Sequence, residues 1–332
     1  MIHPLKHVSR FVDPYILAIL GTVALASLLP ARGVGTPVVD TGADVAVGLL
    51  FFLYGARLSP RAVADGMRHW RLHLVVFGST FVLFPVLGLA AHALVPSVLT
   101  SELYIGLVFL CALPSTVQSS IAFTSIARGN VAAAICSASL SNLVGIVLTP
   151  VLVGLLLATR GGISAQPMLD IGVQLLLPFA AGQLSRRWIG EWITRNRRLL
   201  GYVDRGSILL VVYSAFSQGV QAGIWHQLPV PRLGALLAVS AVLLGLVLLS
   251  TSYAARWLGF DLEDQIAIVF CGSKKSLASG VPMAAVLFAD QSVGLIVLPL
   301  MLFHQLQLMV CAALAKRYAN ARPALSPVPV AP

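Results

Sequence analysis

Two adjacent lysines, Lys274 and Lys275, lie inside a long apolar stretch of the chain. Counted from Asp264 at ~1.5 Å per residue they lie about 15 Å along a helix, near the centre of a ~30 Å hydrocarbon layer. An ammonium group costs ~3 kcal/mol at that depth unless water, a partner or loss of its proton compensates. The 12 Asp and Glu residues all lie near the ends of apolar stretches, so no carboxylate is placed to pair with them. The lysines therefore predict attraction of an anionic substrate, or a fixed positive charge where another protein would bind a cation.

Two other uses of the lysines remain open. One of them could bond the carbonyl groups of another broken helix as a fixed strut. Ser273 could also be a nucleophile with Lys274 as its neutral general base, although neighbouring helical positions point ~100° apart and the pairing requires an unwound segment. The clustered acidic residues that hold magnesium in phosphoryl-transfer and prenyl-transfer enzymes are missing from the sequence. We therefore expect a protein that is not an enzyme.

Hydroxyl and amide side chains within other apolar stretches form a second group of candidates. Together with the lysines, the predicted substrate-binding or ion-binding residues are Thr80, Ser115, Thr116, Ser119, Ser120, Ser137, Asn142, Ser273 and Ser276. Such groups can ligate a substrate or sodium at a helix break, but in membrane helices they more often bond their own backbone or a neighbouring helix. An amide is costlier to bury without a partner than a hydroxyl, so we expect Asn142 to face the broken helices rather than lipid.

The composition of the chain indicates that its main solvent is lipid. Of 332 residues, 58% are hydrophobic and 10% are charged, whereas a soluble domain carries about a quarter charged residues. The net charge of +10 comes from short loops rather than from one face of a soluble module, so we expect no nucleic acid partner. The four cysteines lie in apolar runs without metal-ligand spacing. The sequence thus predicts an all-α integral membrane protein with the bilayer as its partner and without a cofactor.

About ten apolar segments are long enough to be membrane helices. They cover residues 13–30, 38–57, 71–95, 102–127, 130–158, 168–185, 206–225, 233–256, 264–289 and 291–315. Of the 22 Lys and Arg residues, 17 fall in the predicted loops on the amino-terminal side, and three, Arg32, Arg160 and Arg232, fall on the other side. By the positive-inside rule both termini are cytoplasmic, and the Ala-rich and Arg-rich usage fits a bacterial inner membrane.

Segments four and nine are interrupted by polar clusters about half a chain apart. The interruptions are Pro114, Ser115, Thr116, Gln118, Ser119 and Ser120 in segment four, and Gly272, Ser273, Lys274, Lys275, Ser276, Ser279 and Gly280 in segment nine. Segments four and nine of ten hold the same place in two five-helix halves, and an odd number of helices per half gives the halves opposite orientations. Broken helices paired in this way are typical of the substrate site of secondary transporters. We predict one membrane domain over 1–332, with repeats at about 11–158 and 168–316 and a cytoplasmic tail at 317–332.

At these motifs the chain resembles the bile acid:sodium symporter family, in particular its SBF-like branch. The stretches that carry the resemblance are FFLYGARLSP at 51–60, LPSTVQSSIAFTSIARGN at 113–130, SNLVGIVLTP at 141–150 and FCGSKKSLASGVP at 270–282. The resemblance implies two inverted five-helix repeats, a core in which broken helices four and nine cross, and a second group of helices that forms a panel.

The sodium sites that the resemblance implies differ in this sequence. The ninth-helix Glu that serves both sites falls on Phe270, and the Gln four residues later falls on Lys274. Two fifth-helix hydroxyl positions fall on Ala134 and Ala138. The usual two-sodium site cannot be assembled from these residues, and we interpret Lys274 as a tethered cation in place of sodium. If a sodium ion binds at all, its predicted ligands are Ser119, Ser120, Ser137 and Asn142.

The function predicted from the sequence is secondary transport of a small organic anion, bound where segments four and nine meet. A sodium-independent or proton-linked carrier whose buried lysine titrates is the alternative within the transport class. An intramembrane serine–lysine hydrolase and a membrane sensor without transport activity are the alternatives outside it.

Overall fold

A computed structural model of the protein describes residues 14–57, 69–158, 165–221, 223, 229–289 and 291–321. These residues form twelve helices and, within the described ranges, no β-strand. The helices are α1 (Pro14–Leu28), α2 (Gly35–Arg57), α3 (Trp70–Leu94), α4 (Ser101–Ala112), α5 (Gln118–Ile126), α6 (Val131–Ala158), α7 (Ala165–Arg195), α8 (Arg197–Gln221), α9 (Val230–Trp257), α10 (Leu262–Gly272), α11 (Leu277–Leu287) and α12 (Val293–Asn320).

Six of these helices are long and apolar enough to cross a bilayer, namely α2, α3, α6, α8, α9 and α12. Large apolar side chains such as Leu28, Leu155 and Leu249 are exposed on the outside of the helix bundle. So many exposed large apolar side chains are expected only where lipid covers them. The all-helical membrane protein predicted from the composition is confirmed.

The chain leaves the helical conformation at both predicted interruptions. Residues 113–117 separate α4 from α5, and residues 273–276 separate α10 from α11. The backbone N–H of Ser276 donates to the carbonyl of Pro114 at 2.9 Å, so the two interruptions are in direct contact. Gly145 on α6 allows this packing, because a Cβ there would lie 2.7 Å from the Pro114 side chain.

Helices α1, α2, α7 and α8 pack on one another, whereas α5, α6 and α12 pack around the two interruptions together with α3, α4, α9 and α10. Two glycines set the close approach of α2 to α7. A Cβ on Gly182 would lie 1.9 Å from the Phe52 carbonyl oxygen, and one on Gly55 would lie 2.0 Å from that of Phe179. An ion pair between Arg57 and Asp204 joins α2 to α8.

Three helix ends extend well beyond the predicted segment limits. The predicted loop at 186–205 is almost entirely helical, because α7 continues to Arg195 and α8 begins at Arg197. Charged residues end the hydropathic segment there, but Ile193 and Leu200 continue a buried face that packs against Leu53. Helix α12 likewise runs to Asn320, into the predicted tail, while 322–332 and 1–13 lie outside the described residues.

Candidate functional site

The side chain of Lys275 lies fully buried between α3, α4 and α12. Its ammonium nitrogen donates to the carbonyl oxygens of Thr80 at 2.8 Å, Cys111 at 2.7 Å and Leu113 at 2.7 Å. The same nitrogen lies 4.1 Å from the centroid of the Phe84 ring. An ammonium has three donors, and all three have acceptors here. Lys275 therefore has the geometry of a fixed strut, the alternative in which one lysine bonds the carbonyl groups of another broken helix.

The Thr80 carbonyl is free because of a local change in helix geometry. Residues 79–83 form a π-helical turn, in which the N–H of Phe84 bonds to the Ser79 carbonyl five residues earlier. The next residue, Pro85, has no N–H to donate. The Thr80 carbonyl has therefore lost both of its possible helical partners and accepts from Lys275 instead.

The other two carbonyls belong to the carboxyl end of α4. The last carbonyls of a helix lack partners within it, and they carry the negative end of the helix dipole. Cys111 and Leu113 direct two such carbonyls at Lys275, and the neighbouring Ala112 carbonyl accepts from the Thr149 hydroxyl at 2.9 Å. The end of α4 is thus a natural place for a positive charge.

Gln307 on α12 fixes the backbone of Lys275. Its Oε1 accepts from the Lys275 N–H at 2.8 Å, and its Nε2 donates to the Lys275 carbonyl at 2.9 Å. His304 Nδ1 lies 2.8 Å from the same Nε2. Sequence reasoning missed Gln307, although the argument applied to Asn142, that a buried amide needs partners, would have identified it.

Serine hydroxyls donate hydrogen bonds to the carbonyl oxygens at the carboxyl end of α10. The donors and acceptors are Ser273 to Val269 at 2.6 Å, Ser120 to Phe270 at 3.0 Å, Ser115 to Cys271 at 2.6 Å and Ser79 to Gly272 at 2.8 Å. Three of these, Ser115, Ser120 and Ser273, are predicted site residues. The hydroxyls of Ser115 and Ser120 join the two broken helices, whereas that of Ser273 bonds within its own segment.

Asn142 on α6 connects both interruptions. Its amide nitrogen donates to the Ser115 carbonyl at 2.6 Å, and its Oδ1 accepts from the Ser279 hydroxyl at 2.8 Å. Ser276 lies in the same network, because its hydroxyl is 3.0 Å from that of Ser279 and caps α11. Asn142 therefore faces the two interruptions.

The remaining hydroxyl candidates have different partners. Thr116 lies 2.6 Å from Ser119 and 3.3 Å from Ser120, oxygen to oxygen. Ser137 points to α3, where its hydroxyl lies 2.6 Å from His73 Nδ1. Thr80 contributes its carbonyl, while its hydroxyl has no hydrogen-bond partner within the described ranges. Of the four predicted sodium ligands, Ser119 and Ser120 thus contact Thr116, Ser137 contacts His73, and Asn142 bonds to Ser115 and Ser279.

Lys274 has very different surroundings from its neighbour. Its side chain is fully buried, and its nitrogen lies 3.9 Å from the centroid of the Phe123 ring and 5.4 Å from that of Phe270. Among the residues that the structure describes, that nitrogen has no hydrogen-bond partner. The tethered cation predicted at Lys274 has no carbonyl ligand among the described residues, whereas three carbonyl oxygens surround the nitrogen of Lys275.

Comparison with known proteins identifies the family of this chain. The profile of the SBF-like CPA transporter family matches residues 13–320. The chain belongs to this family. Protein PA2026 of Pseudomonas aeruginosa is 58% identical over 312 residues, covering 93% of this chain and 94% of the relative. "Putative symporter YfeH" of Escherichia coli K12 is 53% identical over 310 residues, covering 93% of each. Sodium/bile acid cotransporter 7 of Rattus norvegicus is 30% identical over 310 residues, covering 90% of each.

Membership of the SBF-like CPA transporter family makes this chain a multi-pass membrane transporter of a small molecule and not an enzyme. The geometry around Ser273 agrees, because its hydroxyl donates to Val269 whereas the Lys274 nitrogen lies over Phe123. A pocket of about 280 Å³ lies between residues 69–72 and 259–264 and contains none of the predicted site residues.

Two residues beside the interruptions in this SBF-like transporter are exposed. Gln118, the first residue of α5, is exposed, and α5 begins without a side-chain cap. Ala278 on α11 is also exposed, and its carbonyl has no helical partner because Pro282 lacks an N–H. The Tyr54 hydroxyl of α2 donates to this carbonyl at 3.3 Å. Ala278 thus lies where α2 meets α11, and we call the exposed region at Gln118 and Ala278 the open edge.

Proposed function

We propose that this protein is a secondary transporter of a small organic anion in the bacterial inner membrane, with ten membrane segments in two inverted repeats and cytoplasmic termini. The matched interruptions α4–α5 and α10–α11 support the repeat arrangement, since they occupy equivalent places in two five-helix halves. The charge distribution of the loops supports the orientation.

The observation that carries the anion proposal is the uncapped start of α5 beside exposed Gln118. The first N–H groups of a helix point outwards and carry the positive end of its dipole, which favours a carboxylate, sulfonate or phosphate group. Half-helix ends of this kind hold the anionic groups of substrates in other transporters. The substrate in this proposal lies along the open edge, between Gln118 and Ala278.

We further propose that transport does not require sodium. The Lys275 nitrogen lies at the interruptions with three carbonyl acceptors, whereas two of the groups that could ligate sodium are engaged elsewhere, Ser137 with His73 and Asn142 with Ser279. Exchange of a proton at Lys274 is the second candidate for coupling, because that buried amine has no hydrogen-bond acceptor among the described residues.

The test begins with purified protein and thermal shifts over a panel of monocarboxylic, dicarboxylic and sulfonic acids, in sodium chloride and in choline chloride. Acids that stabilise the protein are then offered as radiolabelled substrates to proteoliposomes. Uptake should persist when choline replaces sodium. Uptake that stops without sodium would contradict the coupling proposal, and the absence of any uptake would favour a sensor.

A substitution at the open edge tests where the anion binds. Gln118→Glu places a negative charge at the start of α5 and should weaken the binding of the anion about tenfold or more, since like charges a few ångströms apart repel strongly near a protein surface. Gln118→Ala is the matched control and should bind nearly as the unmodified protein does. Equal affinities of the Glu and Ala variants would place the substrate elsewhere.

A further inference from the structure

We propose that the ammonium group of Lys275 occupies a monovalent-cation site formed by three backbone carbonyls, and that a free cation fills this site when the side chain is shortened. The three carbonyl oxygens, of Thr80, Cys111 and Leu113, lie 2.7–2.8 Å from one point, the position of the nitrogen. Rings of carbonyl oxygens bind monovalent cations by replacing their hydration shell. Binding of a cation at this site does not depend on the identity of the substrate.

The ligands of this site are set by features other than Lys275 itself. Pro85 and the π-helical turn expose the Thr80 carbonyl, and the end of α4 exposes those of Cys111 and Leu113. The Phe84 ring, 4.1 Å from the nitrogen, adds the negative face of an aromatic system. These groups keep their positions for backbone reasons, so the site should remain when the ammonium is removed.

The backbone at residue 275 is also fixed independently of its side chain. Gln307 bonds both the N–H and the carbonyl of Lys275, and the next N–H, that of Ser276, bonds to Pro114. A shortened side chain therefore leaves a cavity rather than a collapsed loop. The cavity is lined by three carbonyls without donors, which is an unfavourable arrangement unless a cation enters.

No carboxylate pairs with Lys275 among the described residues, so the site should be selective for a single charge. The ion ligands here are neutral oxygens, and the Asp and Glu residues lie near the ends of the predicted segments. Neutral carbonyl ligands without a counter-charge compensate the desolvation of a divalent ion poorly. Ammonium, methylammonium, potassium and sodium are the cations that the chemistry favours.

The experiment compares full-length Lys275→Ala with Lys274→Ala in detergent. Thermal unfolding is measured with ammonium, methylammonium, potassium or sodium chloride, and choline chloride keeps the ionic strength constant. The melting temperature of Lys275→Ala should rise by about 5 °C between 1 and 100 mM of the best-fitting cation, because ligand binding to the folded state stabilises it in proportion to the logarithm of concentration. Lys274→Ala, which vacates no carbonyl cluster, should show no such rise, nor should the unmodified protein.

Equilibrium binding of the same cation should give one site per Lys275→Ala molecule. Lys275→Met provides a second variant, because its uncharged side chain fills the space and should remove the cation response. The proposal is overturned if Lys275→Ala melts at the same temperature in choline and in every small cation, or if Lys274→Ala responds equally. It is also overturned if Lys275→Ala fails to fold in all of these cations while Lys275→Met folds.

Discussion

Lys274 and Lys275 are neighbours in the chain, and both are fully buried. The interrupted helix turns their side chains in different directions. The ammonium of Lys275 reaches three carbonyls, whereas that of Lys274 lies over the Phe123 ring. The effect of a buried charge on the stability of the folded protein depends more on its partners than on its depth. The same substitution at the two lysines should therefore change the stability by different amounts.

At the scale of single residues we predict opposite effects of methionine at the two positions. Lys274→Met should leave the melting temperature unchanged or raise it, because the thioether keeps a contact with Phe123 and no hydrogen bond is lost. Lys275→Met should lower the stability by about 2–5 kcal/mol, since three buried carbonyls lose their donor. Thermal unfolding of both purified variants checks this. A larger loss for Lys274→Met than for Lys275→Met would contradict it.

The sequence was sufficient to place both lysines near the centre of the membrane, but it did not show which of them has carbonyl ligands. Their depth follows from counting residues, and the lack of a carboxylate partner follows from composition. The choice between them depends on the π-helical turn at 79–83 and on the end of α4, both far from the lysines in the chain. Neither is visible from local hydropathy. Resemblance to the family placed a sodium-site position on Lys274, one residue from the ammonium that has ligands.

Prolines explain much of the geometry at the scale of elements. Pro85 in α3 and Pro282 in α11 each remove a backbone donor, and each frees one carbonyl. In both cases a side chain from another element takes the place of the missing N–H, Lys275 for Thr80 and Tyr54 for Ala278. Sequence reasoning can list such prolines but cannot name the donors, which come from distant parts of the chain.

The bond from Tyr54 to Ala278 should restrain α2 against α11. Tyr54→Phe removes it while the exposed carbonyl can turn to water, so the stability should fall by only about 0.5–1 kcal/mol. Opening of the edge should become more frequent, and a cysteine at Ala278→Cys should react with maleimide several-fold faster. Tyr213→Phe is the matched control, since its hydroxyl bonds to Leu29 between α8 and α1. Equal labelling rates in Tyr54→Phe and Tyr213→Phe would show that Tyr54 does not restrain the edge.

The contact of α2 with α7 depends on having no side chain at Gly182. Gly182→Ala would place a Cβ 1.9 Å from the Phe52 carbonyl oxygen, so the helices must separate. We expect a loss of about 1–3 kcal/mol or more, as for other overpacked sites, measured by thermal unfolding. Gly245→Ala on α9 is the control, because a Cβ there meets nothing within 4 Å. A stability of Gly182→Ala equal to that of Gly245→Ala would rule out so close a contact.

At the scale of the whole molecule, the predicted loop with the most positive charge is a helical hairpin formed by the end of α7 and the start of α8. Helix α7 has 31 residues and is about 46 Å long, more than the ~30 Å hydrocarbon layer. Its last turns must therefore extend beyond the apolar layer unless the helix is strongly tilted. Trp188 and Trp192 are exposed there, as expected for side chains at the membrane interface. Composition and charge predicted the membrane class and the position of this region, but not its helical structure.

The orientation of the hairpin can be tested with two exposed arginines on either side of α8. Arg195 ends α7 in the arginine-rich region, whereas Arg232 lies at the start of α9. Because α8 is long and apolar enough to cross the membrane once, the two positions should lie on opposite sides. In a background without Cys136, the half-buried native cysteine, Arg195→Cys should react with an impermeant maleimide only in inside-out vesicles. Arg232→Cys should react only in right-side-out vesicles, and each variant controls for the sealing of the other's vesicles. Labelling of both positions from one side would mean that α8 does not cross the membrane, and a reversed pattern would place the arginine-rich hairpin and both termini outside the cytoplasm.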